Sequence, residues 1–309
     1  MKQETYGFEG SRTETADNRF YTGSIGGLRA AIVEGAVCEG VVTRCDSEHN
    51  LHIELPCGEG IIPHEHGAEG IAEGRTRDIA LLTRVGKPVS FTVKEVWSEP
   101  DGFVRARLSR LEAQERCRQE RVARLRPGDI LPVRVTHLDT FGAFCDIGCG
   151  ISALMPIASL SVSRIAHPSD RVAVGQDIFA VVASVVDGRV TLSMRELLGT
   201  WEENAARFTV GETVPGIVRS VESYGVFVEL TPNLAGLAEL RGGVAVGDGA
   251  TVHIKSILPE RMKIKLAIVD TYPGRPKLRP LPFVQTNGHI DRWDYSPPGA
   301  EKKIFTEFC

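Results

Sequence analysis

The sequence repeats itself at a fixed interval, and this self-similarity limits the folds that the chain can adopt. The segment GDILPV at 128–133 recurs 83 residues later as GETVPG at 211–216. At the same shift, FGAFCD at 141–146 recurs as YGVFVE at 224–229, and a third, weaker copy begins at Gly35. The chain therefore contains three related units.

Each unit contains the pattern of about five short strands. From the opening glycine, 25 residues lead to a similar apolar step, at 60–63, 153–156 and 236–239. A variable loop, a strand led by glycine and a closing strand follow, and the closing strands end at Leu108, Leu192 and Leu266. Short units with period-two alternation and Gly and Asp turns are typical of small closed barrels, of which the five-stranded OB-fold is the commonest. The predicted fold class is all-β, with three tandem five-stranded OB-fold barrels.

The segments between and beyond the units differ in composition. Residues 111–125 contain strong helix formers and neither glycine nor proline, and residues 203–208 lie in a second helix-like stretch. The first 33 residues and the proline-rich tail lack clear periodicity, so we expect extensions that either wrap around the barrels or stay mobile. The predicted domains are an N-terminal extension at 1–33, a divergent first barrel at 34–111, a helical connector at 112–125, a second barrel at 126–196, a helical connector at 197–207, a third barrel at 208–270 and a C-terminal extension at 271–309.

Composition excludes several classes of protein. The chain has 309 residues, 42 % of them apolar and 25 % charged, which excludes disorder throughout. No run approaches the roughly 20 apolar residues of a membrane span, and the N-terminus is charged, so we expect a cytoplasmic protein with no membrane contact. Seven cysteines without CxxC pairs predict reduced thiols. The net charge of −4 excludes a uniformly basic surface but allows basic grooves.

Alternation along the second strand of each unit predicts the direction of its aromatic residues, because successive side chains of a strand face opposite sides. Apolar residues at 143, 145 and 147, and again at 226, 228 and 230, face the core. A bulge at the intervening glycine can bring both rings of a pair to the other face. That outer face then carries Phe141 and Phe144 with Asp146 in the second unit, and Tyr224 and Phe227 with Glu229 in the third.

Paired outward rings suit the stacking of unpaired bases, which contributes about 1–3 kcal/mol per base and tolerates many sequences. Single-stranded RNA is therefore the predicted ligand. The alternative is that a ring packs under a loop or a neighbouring domain, which is the usual fate of an isolated exposed ring, but recurrence of the pair disfavours it. In the first unit a one-residue shift puts His49 and His52 at the aromatic positions, which predicts either weak RNA binding or a docking module.

Cations accompany the rings. Arg105, Arg189 and Lys263 occupy matching positions in the three closing strands, where they can contact phosphates or simply face solvent. Residues 105–126 hold eight arginines against three glutamates, and we expect this stretch to offer counter-charge to an RNA backbone passing between domains.

These motifs resemble the S-one (S1) domain, the RNA-binding OB-fold module named after a protein of the bacterial small ribosomal subunit. The resemblance rests on FGAF at 141–144, YGVFV at 224–228, the GQ turn at 175–176 and DGRVTLS at 187–193. It extends over residues 34–270 and is weakest in the first unit. With its divergent first unit and the stretch ELLGTWEEN at 196–204, the whole chain is most similar to short S1-like proteins of clostridial bacteria.

The resemblance implies a nucleic-acid surface made of two aromatic residues, a third-strand histidine, and an aspartate and an arginine around the last strand. Phe141, Phe144, Asp187 and Arg189 match this pattern in the second unit, and Tyr224, Phe227 and Lys263 match it in the third. The histidine position is Pro156 in one unit and Glu239 in the other. A glutamate there would repel phosphate, so we expect the second unit to bind RNA best.

Other chemistry has weaker support. Six potential zinc ligands lie close together in the sequence: Cys45, His49, His52, Cys57, His64 and His66. Their spacing fits no standard zinc motif, and strand alternation would place them on different faces. We therefore expect no metal site and no cofactor. S1 domains also occur on ribonucleases and polynucleotide phosphorylase, but the sequence outside the repeats contains no P-loop, nucleophile elbow or acidic metal cluster.

The sequence thus predicts a non-catalytic protein that binds single-stranded RNA, including mRNA, and acts in translation at the small (30S) ribosomal subunit. The ribosomal role rests on the resemblance alone. The alternatives are a protein-interaction scaffold and an RNA-binding subunit of an RNA-decay complex.

Overall fold

The computed structural model describes residues 6–274 and 280–308. The chain divides into two compact units, one of Met1–Leu125 with Asp146–Ser152 and one of Arg126–Cys145 with Ala153–Cys309. Three closed five-stranded barrels account for most of the strands, so the predicted all-β fold is confirmed. Among the described residues no helix has the length and apolar character needed to cross a bilayer. Six cysteines are free thiols, and Cys309 lies outside the described residues.

Barrel 1 belongs to the first unit. Its strands are β1 Val37–Cys45, β2 Leu51–Leu55, β3 Gly58–Ile62, β4 Pro88–Ser98 and β5 Val104–Ser109. They close in the order β1-β2-β3-β5-β4, with β3 parallel to β5 and the other neighbours antiparallel, which is the topology of an OB-fold. Leu51, Ile53 and Phe91 are fully buried in its core.

Helices cover part of this barrel. They are α1 Ala16–Thr22, α2 Ile25–Glu34, α3 Ile79–Leu82 and α4 Arg110–Glu120. Thr15 and Ser24 cap α1 and α2 by accepting backbone N–H groups, and α2 ends at Gly35 in a left-handed conformation. The Asn18 side chain pairs with both backbone groups of Glu39 in β1. The described part of the N-terminal extension therefore wraps onto the barrel and does not extend freely.

Barrels 2 and 3 repeat the topology of barrel 1. The strands of barrel 2 are β6 Ile130–Asp139, β7 Gly142–Asp146, β8 Ser152–Pro156, β9 Asp177–Val186 and β10 Arg189–Ser193. A short helix, α5 Trp201–Ala205, precedes barrel 3, whose strands are β11 Thr213–Glu222, β12 Gly225–Thr231, β13 Leu234–Ala238, β14 Gly249–Leu258 and β15 Lys263–Tyr272. Both barrels are closed.

The C-terminal extension packs within the second unit. Its strands β16 Arg292–Asp294 and β17 Phe305–Glu307 form a small antiparallel hairpin. Trp293 and Tyr295 join the core of barrel 3, and the Tyr295 hydroxyl donates to the Asn233 carbonyl at 2.5 Å. Phe308 is buried with Val181 and Leu197. We expected this tail either to wrap around the barrels or to stay mobile. Residues 280–308 wrap onto barrel structure, while residues 275–279 lie outside the described part.

Candidate nucleic-acid interface

A row of side chains crosses the outer face of barrel 3. Strand pairing places Ser220 opposite Phe227, Phe227 opposite Leu237, and Leu237 opposite Lys265. Side chains directly opposite each other share a face of the sheet, so this row lies on one side of the barrel. Lys263 is two residues from Lys265 on the same strand and therefore faces the same way.

The rings of barrel 3 form an exposed pair. Tyr224 and Phe227 meet edge to face with centroids 6.1 Å apart, and Tyr224 is 67 % exposed. Lys263 and Lys265 are exposed and have no acidic partner within the described parts of the chain. Glu239, at the third-strand position, pairs with Lys255 at 2.9 Å. This ion pair offsets the repulsion of phosphate that the sequence predicts at Glu239.

Barrel 2 presents three rings instead of two. Phe141 is 52 % exposed and meets Phe144 edge to face, with centroids 5.8 Å apart. The exposed His137 also contacts Phe144, with centroids 5.9 Å apart and planes inclined by 33°. Strand β7 neighbours β8, and β8 neighbours β10. On these last two strands Leu154 pairs with Thr191. We call Phe141, Phe144 and His137 the ring surface of barrel 2.

Sequence reasoning missed His137 for a physical reason. Val133 and Val135 are buried in β6, so strict alternation would also point His137 inward. The matching strands of barrels 1 and 3 have a register shift at this place, between Val42 and Arg44 and between Val218 and Ser220. Such a bulge reverses the faces beyond it, which agrees with the exposure of His137.

The closing hairpin of barrel 2 brings a cation to the same face. Asp187 and Gly188 both have positive φ, as expected of a two-residue turn between antiparallel strands. Asp187 is exposed at this turn, and its role in RNA binding stays a prediction. Arg189 is exposed, lies two residues from Thr191 on the same side of β10, and has no acidic partner among residues 6–274 and 280–308.

Barrel 1 uses the same row differently, and this corrects the prediction for His52. That residue stands opposite Arg44 and Ile61, as Phe227 does in barrel 3, but it is only 6 % exposed. Its Nδ1 lies 2.9 Å from Glu59 and 3.0 Å from Arg44, and its Nε2 lies 3.0 Å from Asp46. Because the ring is enclosed by these partners, it offers no face to a base. His49 lies in the β1–β2 turn, half-buried beside His64.

The cations of barrel 1 are also occupied, which corrects the expected role of Arg105. Its guanidinium lies 2.5 Å from Glu59 and 3.2 Å from Glu99. The predicted counter-charge of residues 105–126 is neutralised at several further positions. Arg110 pairs with Glu9, Arg116 with Glu112 and the Gly35 carbonyl, and Arg118 with Glu69. These arginines hold the first unit together instead of lining an RNA path.

Asp146 and Glu229 were expected on an open polar face, and the structure buries both. Asp146 accepts the backbone N–H groups of Glu9 and Gly148 at 2.8 Å each. Its burial, together with the charge of Glu9, raises the pKa of this carboxyl. Asp146 therefore belongs with Glu9 to the first unit, and its buried carboxyl is not part of an open polar face.

Glu229 is buried under the loop that precedes β9. Arg171 binds its carboxylate through two nitrogens at 2.7 and 2.9 Å, and Arg219 does so at 2.8 and 3.1 Å. Burial alone would raise the pKa of Glu229, but hydrogen bonds and charge from the two guanidinium groups hold it below the ordinary value. Glu229 is therefore a structural ion-pair centre and not part of an RNA-facing surface.

The fold and the outward rings define a class, the tandem OB-fold proteins whose barrel faces carry aromatic pairs. Residues 124–195 match the model of the S1 RNA binding domain. The chain is 29 % identical over 231 residues to the small ribosomal subunit protein bS1 homolog of Bacillus subtilis, covering 72 % of this chain and 59 % of that protein. It is 27 % identical over 199 residues to bS1 of Streptococcus pneumoniae, covering 60 % and 50 %.

A third relative, bS1 of Mycobacterium leprae, is 32 % identical over 209 residues, covering 63 % of this chain and 43 % of that protein. The chain therefore contains an S1 RNA binding domain at residues 124–195 and is similar to bS1 proteins over 60–72 % of its length. It spans about half the length of the curated relatives it matches.

Proposed function

We propose that this protein binds single-stranded RNA without catalysis, through the outer faces of barrels 2 and 3, with barrel 2 as the stronger site. The observation that carries the proposal is the ring surface of barrel 2, three adjacent rings of which Phe141 and His137 are exposed. Stacking on such rings needs no particular base, since every base has a π-face. Arg189, unpaired among the described residues, supplies a positive charge for the backbone.

Barrel 3 supports weaker binding of the same kind. It has two rings where barrel 2 has three, because Ser220 stands where barrel 2 has His137. Lys263 and Lys265 add positive charge beside Phe227. Two sites on consecutive barrels of one chain raise affinity for a strand long enough to reach both, because the second contact becomes intramolecular.

We further propose that the RNA is mRNA and that the protein acts in the cytoplasm, in translation at the small ribosomal subunit. This part is supported by the names of the bS1 relatives, which are small ribosomal subunit proteins. Sedimentation of tagged protein with ribosomal subunits, before and after RNase treatment, tests it. Co-sedimentation with the small subunit supports the proposal, and its absence in both conditions contradicts it.

The RNA proposal itself is tested by titrating the full chain with an unstructured oligoribonucleotide and with a duplex of equal length. We expect tighter binding to the single strand and an affinity that falls as salt rises, because phosphate contacts release counterions. Equal affinity for the duplex would contradict the stacking mechanism. Binding to neither RNA, with capture of a ribosomal protein instead, would favour a protein-interaction scaffold.

A further inference from the structure

Two histidines and one aspartate from separate segments meet beside barrel 1. They are His49 in the β1–β2 turn, His64 just after β3, and Asp78 immediately before α3. His64 Nε2 lies 2.8 Å from Asp78 Oδ1, and His49 Nδ1 lies 3.4 Å from Asp78 Oδ2. One ligand atom from each residue lies within 4.8 Å of the other two. We propose that these three side chains bind a divalent transition-metal ion of the zinc class.

The donor set and the spacing suit such an ion. Imidazole nitrogen and carboxylate oxygen are both zinc ligands, at about 2.0–2.2 Å from the metal. Two ligands of a tetrahedral ion at that bond length lie roughly 3.3–3.5 Å apart. The His49–Asp78 separation of 3.4 Å lies within this range, and the His64–Asp78 separation of 2.8 Å lies below it. Binding an ion therefore requires His64 and Asp78 to move apart by roughly half an ångström, which breaks their hydrogen bond.

The backbone holds both histidines in place. His49 has a left-handed backbone, with φ of 63°, which is uncommon for a residue other than glycine and here belongs to a tight turn. Asp46 fixes that turn, since its side chain accepts the N–H groups of Glu48 and Asn50 and its carbonyl accepts that of His49. The Asn50 side chain in turn accepts the His64 N–H at 3.0 Å. The turn and the His64 segment are thereby tied together.

The remaining potential ligands near this cluster are engaged elsewhere. His52 is bound by Asp46 and Glu59, and the His66 ring lies 3.0 Å from the Ser109 hydroxyl. Cys45 and Cys57 pack against the barrel core. Three protein ligands that are partly exposed, 36 % for each histidine and 49 % for Asp78, leave a coordination position for water. Strand alternation does not apply to His49 and His64, because His49 lies in the β1–β2 turn and His64 begins a short 3-10 helix, His64–His66.

Calorimetric titration of the reduced, chelator-treated full chain with Zn²⁺ tests the proposal. We expect one tight site in the wild-type protein, with affinity reduced at least about 100-fold in H49A/H64A and also in D78N, which preserves the shape of the side chain. His289→Ala is the matched control, because His289 also contacts two carboxylates, Asp129 and Asp291, without a second imidazole. This control should bind like the wild type.

A thermal melt supplies a second readout. Saturating Zn²⁺ should raise the melting temperature of the wild type and of H289A but not of D78N, since only a ligand of the folded state stabilises it. Without metal, all variants should melt near the wild-type temperature. Zinc affinity that survives unchanged in both D78N and H49A/H64A assigns the metal to other residues and overturns the proposal, as does the absence of a tight wild-type site.

Discussion

Barrels 1 and 2 share a topology and a row of outward positions, but the ring in that row is buried in barrel 1 and partly exposed in barrel 2. In barrel 1 the row residue His52 is enclosed by Arg44, Asp46 and Glu59. In barrel 2 the same position is Phe144, flanked by two exposed rings. The difference shows that an OB-fold barrel supplies only the platform. Whether its face can bind a ligand depends on whether the outward side chains satisfy one another first.

The charges differ in the same way. The arginine of the closing strand in barrel 1, Arg105, is held by Glu59 and Glu99, whereas Arg189 of barrel 2 has no acidic partner in the described parts of the chain. An arginine already paired to carboxylates must break those contacts before it reaches a phosphate. Counting basic residues in the sequence therefore overstates the positive surface of barrel 1.

Removing the rings of barrel 2 should change RNA affinity more than any other substitution in this protein's barrels. In F141A/F144A the affinity for an unstructured oligoribonucleotide should fall by roughly 2–6 kcal/mol, at about 1–3 kcal/mol for each lost stack. The melting temperature should stay nearly constant because Phe141 is half-exposed and Phe144 is only partly buried. Fluorescence titration and a thermal melt measure the two effects. Full affinity in this variant contradicts the ring surface, and a collapsed melt shows that the rings are structural.

Barrel 3 combines both behaviours. Its rings are exposed, but Glu229 on the same strand is buried in an ion-pair centre that stabilises the fold. Glu229→Gln leaves Arg171 and Arg219 buried without a full counter-charge, so the free energy of unfolding should drop by about 3–5 kcal/mol at pH 7. The pKa of Glu229 is lowered in the fold, so its contribution is present at neutral pH and lost as the pH falls below about 4. The difference between variant and wild type should therefore shrink in acid.

Chemical denaturation at pH 7 and in acid measures this difference. Glu239→Gln is the control within the same barrel, because its pair with Lys255 is exposed and contributes little stability. A Glu229→Gln variant as stable as this control at pH 7 would refute the buried ion-pair centre.

A smaller effect separates stability from binding in barrel 1. His52→Ala removes the hydrogen bonds between the buried ring and the carboxylates of Asp46 and Glu59, which keep their other partners. Because hydrogen bonds to charged groups are stronger than neutral ones, we expect a loss of about 1–3 kcal/mol in stability. RNA affinity should not change, since the ring has no exposed face. Denaturation and RNA titration of the same sample check both points, and a loss of affinity without a loss of stability would restore the stacking role of His52.

The smallest predicted effect concerns the third ring. Exchanging His137 for Ser, the residue of barrel 3, should weaken RNA binding by about 1 kcal/mol, the low end for one stacking contact. The reciprocal change, Ser220→His, should strengthen binding through barrel 3. RNA titrations of the wild type, His137→Ser and Ser220→His measure these changes in affinity. Equal affinities in the three proteins would exclude His137 from the site.

Much of this architecture could be predicted from the sequence because the repeat fixes topology. The three barrels and the outward placement of Phe141 and Tyr224 follow from spacing and strand period. The exposure of His137 did not follow, because strict alternation from the buried Val133 and Val135 predicts an inward side chain. The burial of Asp146 and Glu229 could not be predicted either, since it depends on segments distant in sequence, at Glu9 and Arg171, that cover an otherwise outward face.

The N-terminal extension and the segment after barrel 1 also depend on contacts that the sequence does not reveal. The helices α1 and α2 carry cap residues, Thr15 and Ser24, that are visible in the sequence, but helices this short depend on tertiary packing for stability. The ion pairs of Arg110 with Glu9 and of Arg118 with Glu69 are likewise invisible in composition. Their partners are fixed only once the barrel has formed.

Ultraviolet cross-linking of the full chain to a uridine-rich single strand, followed by mass spectrometry of the linked peptides, locates the RNA on the protein. If the ring surface of barrel 2 is the stronger site, cross-links should concentrate on the peptide with His137, Phe141 and Phe144. Fewer should occur on the peptide with Tyr224 and Phe227, and residues 44–55 should remain unlinked. Cross-links concentrated on residues 44–55 or 105–126, with none on the ring surface of barrel 2, would contradict this assignment.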